Sequence, residues 1–199
     1  MKIEIKSIFG NVLFEYDCED NTIRKTLEQS IKSYANLSYA DLRYADLRSA
    51  DLRSANLRYA NLSYANLRSA NLRYANLSYA NLSYANLRSA NLRSADLRYA
   101  NLSYANLSYA NLRSADLRSA DLRSADLSYA NLDKRYIQVA CIGSAKRMTT
   151  YCFDDDIIWC GCFTGSLEQF EAQANETHKG NEQYLKEYLG FINYIKSLK

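Results

Sequence analysis

The residues with the most reactive side chains lie near the C-terminus. Cys160 and Cys162 are separated by one glycine, so an extended strand would place both thiols on the same side. With Cys152 and His178, the only histidine, they could supply the four ligands of a tetrahedral zinc site. Structural zinc sites usually space paired cysteines by two to four residues. The narrower spacing here favours buried free cysteines, and we predict no metal site.

Two other arrangements could do chemistry. The carboxylates of Asp154, Asp155 and Asp156 could hold a cation, but an acidic run between strand-like segments is more typical of a solvated turn. His178 has no nucleophile or base partner at a recognisable spacing, which argues against triad chemistry. The sequence therefore predicts a non-enzymatic protein without catalytic residues or cofactors.

The cysteines and the N-terminus indicate the compartment. The first residues alternate polar and apolar types, and no apolar run is long enough for a signal peptide or a membrane span. An odd number of cysteines without an export signal argues against a disulfide framework. We therefore expect a cytoplasmic protein, without membrane contact, whose thiols are reduced: Cys18, Cys141, Cys152, Cys160 and Cys162.

A five-residue repeat fills residues 35–134. The unit Ala-Asn/Asp-Leu-Arg/Ser-Tyr/Ser occurs nineteen times and is followed by Ala-Asn-Leu-Asp-Lys, and neither the alanine nor the leucine is replaced in any of these twenty repeats. A helix would scatter these leucines around its circumference, and a flat strand would turn them to alternate faces because five is odd. A short extended segment followed by a turn in every repeat keeps alanine and leucine on one inner side. Four such segments close a square.

This pattern resembles the pentapeptide repeat family, whose motif centres on an inward leucine with a small inward residue two positions earlier. The resemblance implies a mainly β fold, a right-handed quadrilateral β-helix of about five coils. At a strand spacing of about 4.8 Å, the coils would extend roughly 24 Å. Because the repeats contain no glycine, we predict corners without a positive φ. The predicted core includes Leu37, Leu57, Leu77, Leu87, Leu97 and Leu117.

Sorting the repeats by four places identical side chains in columns. Asparagine occupies every position before leucine from 56 to 91, with aspartate toward both ends, and we expect the neutral amides to stack and hydrogen-bond in register. The candidate interaction surface consists of two tyrosine columns and one arginine column: Tyr39, Tyr59, Tyr79 and Tyr99; Tyr44, Tyr64, Tyr84 and Tyr104; and Arg53, Arg73, Arg93 and Arg113.

Irregular segments flank the repeats, giving predicted domains of 1–34, 35–134 and 135–199. The first should be a β-hairpin around Gly10-Asn11 followed by a capping helix over 22–33, with Asn21 as its N-cap. The last should form an α+β cap. It comprises a small sheet from strand-like runs at 136–139, 149–153 and 157–162, then helices over 166–177, opened by a capping box, and 182–198. The stretch Gly161–Gly165, with Glu176–His178 and Glu187–Tyr188 downstream, resembles the tail of phage- and prophage-type members of the family. The two helices could also form a homodimer contact.

Charge separates the functional alternatives. The repeats carry 13 basic and 8 acidic residues, a net charge of +5. The family resemblance suggests DNA mimicry and inhibition of type II topoisomerases, as in quinolone resistance, but mimicry requires a negative surface, so we predict no gyrase inhibition. The expected function is a structural rod whose ladders bind an unidentified protein. Polyanion or single-stranded nucleic-acid binding through tyrosine and arginine is an alternative, although we do not expect a nucleic-acid partner. The uniform repeats also suit a rigid spacer or an engineered consensus.

Overall fold

The computed structural model describes residues 1–143 and 147–199, with the side chains at 140, 141, 147 and 148 excluded. The chain divides into two compact units, Met1–Asp133 and Lys134–Lys199. The side chain of Cys141, one of the predicted free thiols, lies outside the described part. No helix in the described ranges is long and apolar enough to cross a membrane.

The repeats form coils of twenty residues. Parallel bridges join residues twenty apart along the array, from Asp41 with Asn61 to Asn111 with Asn131. The leucines point into the space enclosed by each coil, and those from Leu37 to Leu112 are at most 2% exposed. Burying each leucine contributes about 1.5 to 3 kcal/mol before the loss of chain entropy is counted. Of the predicted core residues, Leu117 lies in the last coil and is partly exposed.

One repeat shows how the backbone amides are satisfied. The amides of Asn76, Leu77 and Tyr79 donate to carbonyls in the neighbouring coils at 2.8 to 2.9 Å. The amide of Ala80 donates to the carbonyl of Leu77 across a turn at 3.0 Å. The amide of Ser78 donates to Oδ1 of Asn76 at 3.1 Å. All five donors therefore have acceptors, which accounts for the absence of proline from the array.

The prediction that the corners avoid a positive φ is wrong. From Tyr39 to Tyr129, each residue that precedes an alanine has a φ between 55° and 64°. It is the third residue of a turn closed by the amide of that alanine and the carbonyl of leucine, which is the pattern of a type II turn. The left-handed region costs an L-residue about 1 to 2 kcal/mol. Hydrogen bonds to the next coil and the buried leucines hold the backbone there despite this cost.

An N-terminal hairpin pairs with the first coil. Strands β1 (Lys2–Lys6) and β2 (Val12–Asp17) are antiparallel. The amide of Ile8 donates to the carbonyl of Tyr39 at 2.8 Å, and the amide of Asp41 donates to the carbonyl of Lys6 at 2.7 Å. The hairpin therefore occupies part of the backbone edge of this coil, which would otherwise invite pairing with another chain.

Helix α1 (Ile23–Lys32) follows the hairpin, and its N-cap is Thr22 rather than the predicted Asn21. The hydroxyl of Thr22 accepts a hydrogen bond from the amide of Lys25 at 3.1 Å. Asn21 is buried, and its side-chain amide donates to the carbonyl of Tyr16 at 2.7 Å. Asn21 thus ties the helix to β2, leaving the next residue to cap it.

Helix α1 also contacts the first coil through its side chains. The carboxylate of Glu28 accepts a hydrogen bond from the amide of Asp51 at 3.0 Å, and the guanidinium of Arg24 donates to the carbonyl of Arg48 at 3.1 Å. Leu27 is fully buried. Side chains of the helix thereby bond to backbone groups of the coil beside it.

The unit Lys134–Lys199 contains an antiparallel sheet and two helices. The sheet order is β3-β4-β5-β6, and the buried residues Tyr151, Phe170 and Ile192 belong to the core cluster between sheet and helices. The predicted capping box is present, since Ser166 and Gln169 each accept a backbone hydrogen bond from the other. The elements are β3 (Tyr136–Ile142), β4 (Arg147–Cys152), β5 (Ile157–Cys160), β6 (Phe163–Gly165), α2 (Leu167–His178) and α3 (Glu182–Ser197).

Candidate interaction surfaces

The first tyrosine column is a continuous ring stack. The centroids of Tyr39, Tyr59, Tyr79 and Tyr99 are separated in turn by 4.8, 4.9 and 4.8 Å. Phe9 from the hairpin lies 5.6 Å from the Tyr39 ring and extends the stack toward the N-terminal end. The spacing matches that of the coils, so each ring is positioned by the backbone that carries it.

The second tyrosine column stacks in the same way one repeat further along the chain. The centroids of Tyr44, Tyr64, Tyr84 and Tyr104 are 5.1, 4.9 and 4.8 Å apart. Tyr44 is 70% exposed, and six of the eight tyrosines in the two columns are exposed. We call these two columns the tyrosine face. It presents eight stacked rings, six of them exposed and two partly buried.

Half of the twelve repeat arginines pair with the aspartate two residues earlier. The carboxylate of Asp41, for example, accepts two hydrogen bonds from the guanidinium of Arg43, at 2.7 and 2.8 Å. These bonds hold the pKa of Asp41 below its ordinary value. The same pairing occurs in every Asp-Leu-Arg segment, namely Asp41–Arg43, Asp46–Arg48, Asp51–Arg53, Asp96–Arg98, Asp116–Arg118 and Asp121–Arg123.

Arginines that follow asparagine lack this partner. In the described ranges Arg58, Arg68, Arg73, Arg88 and Arg93 form no ion pair, whereas Arg113 lies 3.4 Å from the carboxylate of Asp133. Three of them lie over rings instead: Arg58 over Tyr59 at 4.7 Å, Arg73 over Tyr74 at 5.3 Å and Arg88 over Tyr109 at 4.6 Å. In the predicted arginine column, Arg53 and Arg113 have carboxylate partners, and Arg73 and Arg93 do not.

Asparagine has a local role that the sequence reasoning missed. Along the array, Oδ1 of asparagine accepts the amide of the residue two positions later, as Asn61 does for Ser63 at 3.1 Å. Where that residue is serine, its hydroxyl often donates to the same oxygen, here at 2.8 Å. One amide bond between coils is present, from Asn56 to Asn36 at 2.9 Å. The restriction of this position to asparagine and aspartate was the signal for a side-chain acceptor.

The thiols of the C-terminal unit are separated by a turn. Gly161 has a φ of 58°, so the predicted strand ends at Cys160. Cys160 is buried and accepts a hydrogen bond from the hydroxyl of Thr149 at 3.1 Å, while Cys162 is exposed. Burial raises the pKa of the Cys160 thiol, and likewise that of Cys152. Within residues 1–143 and 147–199, no group of three or more His, Cys, Asp or Glu side chains could hold a metal ion.

The acidic run at Asp154–Asp156 joins β4 to β5 as a turn. Nζ of Lys134 donates to the carboxylate of Asp155 at 2.6 and 2.7 Å. The hydroxyl of Tyr151 and Nζ of Lys199 donate to Asp156 at 2.6 and 2.7 Å. These carboxylates therefore bond to donors of their own unit.

His178 lies beside aromatic rings. Its ring stacks on Tyr188 with centroids 5.1 Å apart and meets Tyr184 edge-on at 6.0 Å. A cavity of about 420 Å³ adjoins it, with Cys160, Cys162 and Phe170 in its wall.

Solved structures similar to this chain include other repeat proteins. A pentapeptide repeat protein from the Arabidopsis thaliana thylakoid lumen is 29% identical over 49% of this chain and 64% of its own, with a TM-score of 0.37. A pentapeptide repeat protein from Nostoc PCC 7120 is 34% identical over 56% of this chain and 96% of its own, with a TM-score of 0.35. QnrB1, a plasmid-mediated fluoroquinolone resistance protein, is 24% identical over 44% of this chain and 57% of its own, with a TM-score of 0.20.

This chain thus matches less than two thirds of the length of the thylakoid protein. No curated protein shows significant similarity to it. The family model for pentapeptide repeats matches residues 35–73, 70–103 and 100–134, in eight copies. These matches together span half of the chain and coincide with the coils and their buried leucines. The chain therefore belongs to the pentapeptide repeat family.

Proposed function

We propose that this protein is a non-enzymatic scaffold whose rigid β-helix presents the tyrosine face to a protein partner. The observation that carries the proposal is the pair of ring stacks, each four tyrosines long, on successive repeats of the first four coils. Tyrosine is enriched at protein interfaces because its ring is apolar and its hydroxyl can hydrogen-bond.

The order of the rings favours binding. A side chain that is already held in a stack loses less conformational entropy when a partner covers it. The backbone below each ring is fixed by hydrogen bonds to neighbouring coils, as at Tyr79, whose amide donates to the carbonyl of Arg98 at 2.9 Å. The tyrosine face is therefore a preformed surface rather than one assembled on contact.

The charges around the tyrosine face favour protein over nucleic acid. Three arginines directly precede tyrosines of the face: Arg43 and Arg98 pair with aspartate, and Arg58 lies over the Tyr59 ring without an ion pair in the described ranges. Serine takes the place of arginine before the other rings, at Ser38, Ser63, Ser78, Ser83 and Ser103. Nucleic-acid binding depends on cations that neutralise phosphates. Ion pairing also argues against DNA mimicry, because seven of the eight acidic side chains in the repeats pair with arginines.

A serine substitution tests the proposal. Serine already occupies the equivalent turn position at Ser69 and Ser89, with a φ of 58° in both, so Tyr64→Ser, Tyr84→Ser and Tyr104→Ser should preserve the coils. Proteins captured from a cell extract by the immobilised full chain would be compared with those captured by this triple variant. We expect the specific partner to be lost by the triple variant.

The matched control is the double variant Tyr74→Ser and Tyr109→Ser, which removes exposed tyrosines outside the two columns. It should keep the partner. Capture of the same proteins by wild type and triple variant would overturn the proposal.

A further inference from the structure

A second surface of the repeats carries concentrated positive charge. Arg68 and Arg88 lie one coil apart in one column, and Arg73 and Arg93 lie one coil apart in the next. None of the four pairs with a carboxylate in the part of the chain that the structure describes. We call these four arginines the basic side.

The lack of pairing follows from a sequence difference of one residue. Wherever aspartate stands two positions before a repeat arginine, the two side chains form an ion pair, as Asp46 does with Arg48 at 2.6 Å. On the basic side, asparagine occupies that position, as at Asn66 before Arg68 and Asn86 before Arg88. The asparagine keeps the backbone hydrogen bond, at 3.3 Å from Arg68 and 3.1 Å from Arg88. It preserves the fold while leaving the guanidinium without a counter-charge.

Helix α1 adds cations beside the same columns. A cleft of about 560 Å³ between the helix and the coils is lined by Arg24, Lys25, Arg48 and Arg68, against the single carboxylate of Asp46. The lining residues carry a net charge of +3, and the carboxylate of Glu28 lies 3.8 Å from Arg24 outside the lining. Hydroxyl donors also line the cleft.

A second cleft, of about 670 Å³, lies beside the C-terminal half of α1. It is lined by Lys32, Arg53 and Arg73, with Glu28 and Asp51 as its acidic residues. Nε of Arg73 is buried and has no hydrogen-bond partner among residues 1–143 and 147–199. This donor of the basic side is therefore not satisfied by the protein itself.

The density of charge indicates the kind of ligand. Coils are spaced by about 4.8 Å, so two arginine columns supply roughly one cation per 2.4 Å of rod axis. An extended acidic peptide presents one carboxylate on a given side only about every 6.8 Å. A nucleic-acid strand in a duplex carries one charge per about 3.4 Å of axis, and the guanidinium group matches phosphate geometry. The spacing of the cations is therefore closer to the spacing of phosphates in a nucleic-acid strand than to the spacing of carboxylates in an extended peptide.

We propose that the basic side, with the cleft beside helix α1, binds clustered phosphate groups, as in a free oligophosphate or a nucleic-acid backbone. This site is separate from the tyrosine face and does not depend on the proposed function. A negative result for one of the two sites would therefore not contradict the proposal for the other.

Asparagine-to-aspartate substitution provides a test that keeps every arginine. The quadruple variant Asn66→Asp, Asn71→Asp, Asn86→Asp and Asn91→Asp recreates the Asp-Leu-Arg segments found elsewhere in the same array. Binding of inorganic tripolyphosphate and of a labelled single-stranded oligonucleotide would be measured at low and moderate salt. We expect the affinity for phosphate ligands to fall at least tenfold in this variant.

The matched control places the same four added negative charges away from the basic side: Asn61→Asp, Asn76→Asp, Asn81→Asp and Asn101→Asp. Two residues after each of these positions the sequence has a serine rather than an arginine. We expect its affinity to stay within about twofold of wild type at moderate salt, where distant charges are screened. An equal loss in both variants would show a response to net charge alone and would overturn the proposal.

A second variant tests the same site in case the quadruple aspartate variant does not fold. This variant replaces all four arginines with serine: Arg68→Ser, Arg73→Ser, Arg88→Ser and Arg93→Ser. Serine already follows the leucine in six of the repeats that precede Asp126, so the coils should be preserved. The quadruple serine variant should also abolish binding. Tripolyphosphate binding in wild type would identify a free oligophosphate as a sufficient ligand, and oligonucleotide binding alone would identify the backbone as the source. No binding of either ligand at low salt, or equally tight binding of polyglutamate, would contradict the proposal.

Discussion

Replacing Leu87 with alanine is expected to lower the free energy of unfolding by about 2 to 5 kcal/mol, because it removes buried methyl groups and leaves a cavity. Leu87 is fully buried in the middle of the array. Lysine at the same position should have a larger effect, since its ammonium group would lose its hydration without gaining a partner. Urea or thermal unfolding followed by circular dichroism measures both changes.

Leu117→Ala is the matched control. Leu117 occupies the same position of the motif but is partly exposed, so its truncation should cost less than that of Leu87. Unchanged thermal stability of Leu87→Lys would mean that the leucines do not form an enclosed core.

The second large effect is expected at the asparagine that closes each repeat. Asn76→Ala should lower the free energy of unfolding by about 1 to 3 kcal/mol, because it leaves buried donors without an acceptor. Oδ1 of Asn76 accepts both the amide of Ser78 at 3.1 Å and its hydroxyl at 2.7 Å. Ser78 is 3% exposed, so water cannot readily replace the lost acceptor. The same unfolding measurements test this expectation.

Asn76→Asp separates the loss of the acceptor from other consequences of substitution. Aspartate retains an oxygen at the same place and occurs at this position in seven repeats. We expect the aspartate variant to be clearly more stable than the alanine variant. Equal destabilisation by the two substitutions would contradict the role assigned to Oδ1.

The repeat period was sufficient to predict the coil. A spacing of five can keep Leu77 and Leu97 inward only if the backbone turns in every repeat, and this constraint does not depend on the outer residues. The same arithmetic places Tyr79 and Tyr99 in one column, where their rings stack at 4.8 Å. The sequence alone therefore predicts which side chains, twenty residues apart, stack in one column.

The positive φ at the corners was not accessible to the same reasoning. The absence of glycine indicates ordinary turns when each turn is considered alone. At Tyr79, however, the hydrogen bond to Arg98 in the next coil and the buried neighbours Leu77 and Ala80 hold the backbone in place. Packing of the whole array therefore overrides the local preference of the residue.

The charge pattern required knowledge of which side chains reach each other. Aspartate two residues before arginine, as in Asp96 and Arg98, points both side chains to the same outer surface. Sequence reasoning counted the net charge of the repeats but did not pair these groups. The pairing neutralises arginines near both ends and leaves those of the basic side unpaired, a division that a net charge cannot show.

The chain closes one coil every twenty residues around its leucines. Cysteines at Ser69 and Ser89 test this closure directly, because stacked positions about 4.8 Å apart fall within the Cα separation that a disulfide spans. Under mild oxidation, Ser69→Cys with Ser89→Cys should form a disulfide detectable by peptide mass spectrometry. Ser69→Cys with Ser94→Cys, twenty-five residues apart and in the next column, should not. A disulfide in the second pair and none in the first would contradict the twenty-residue coil.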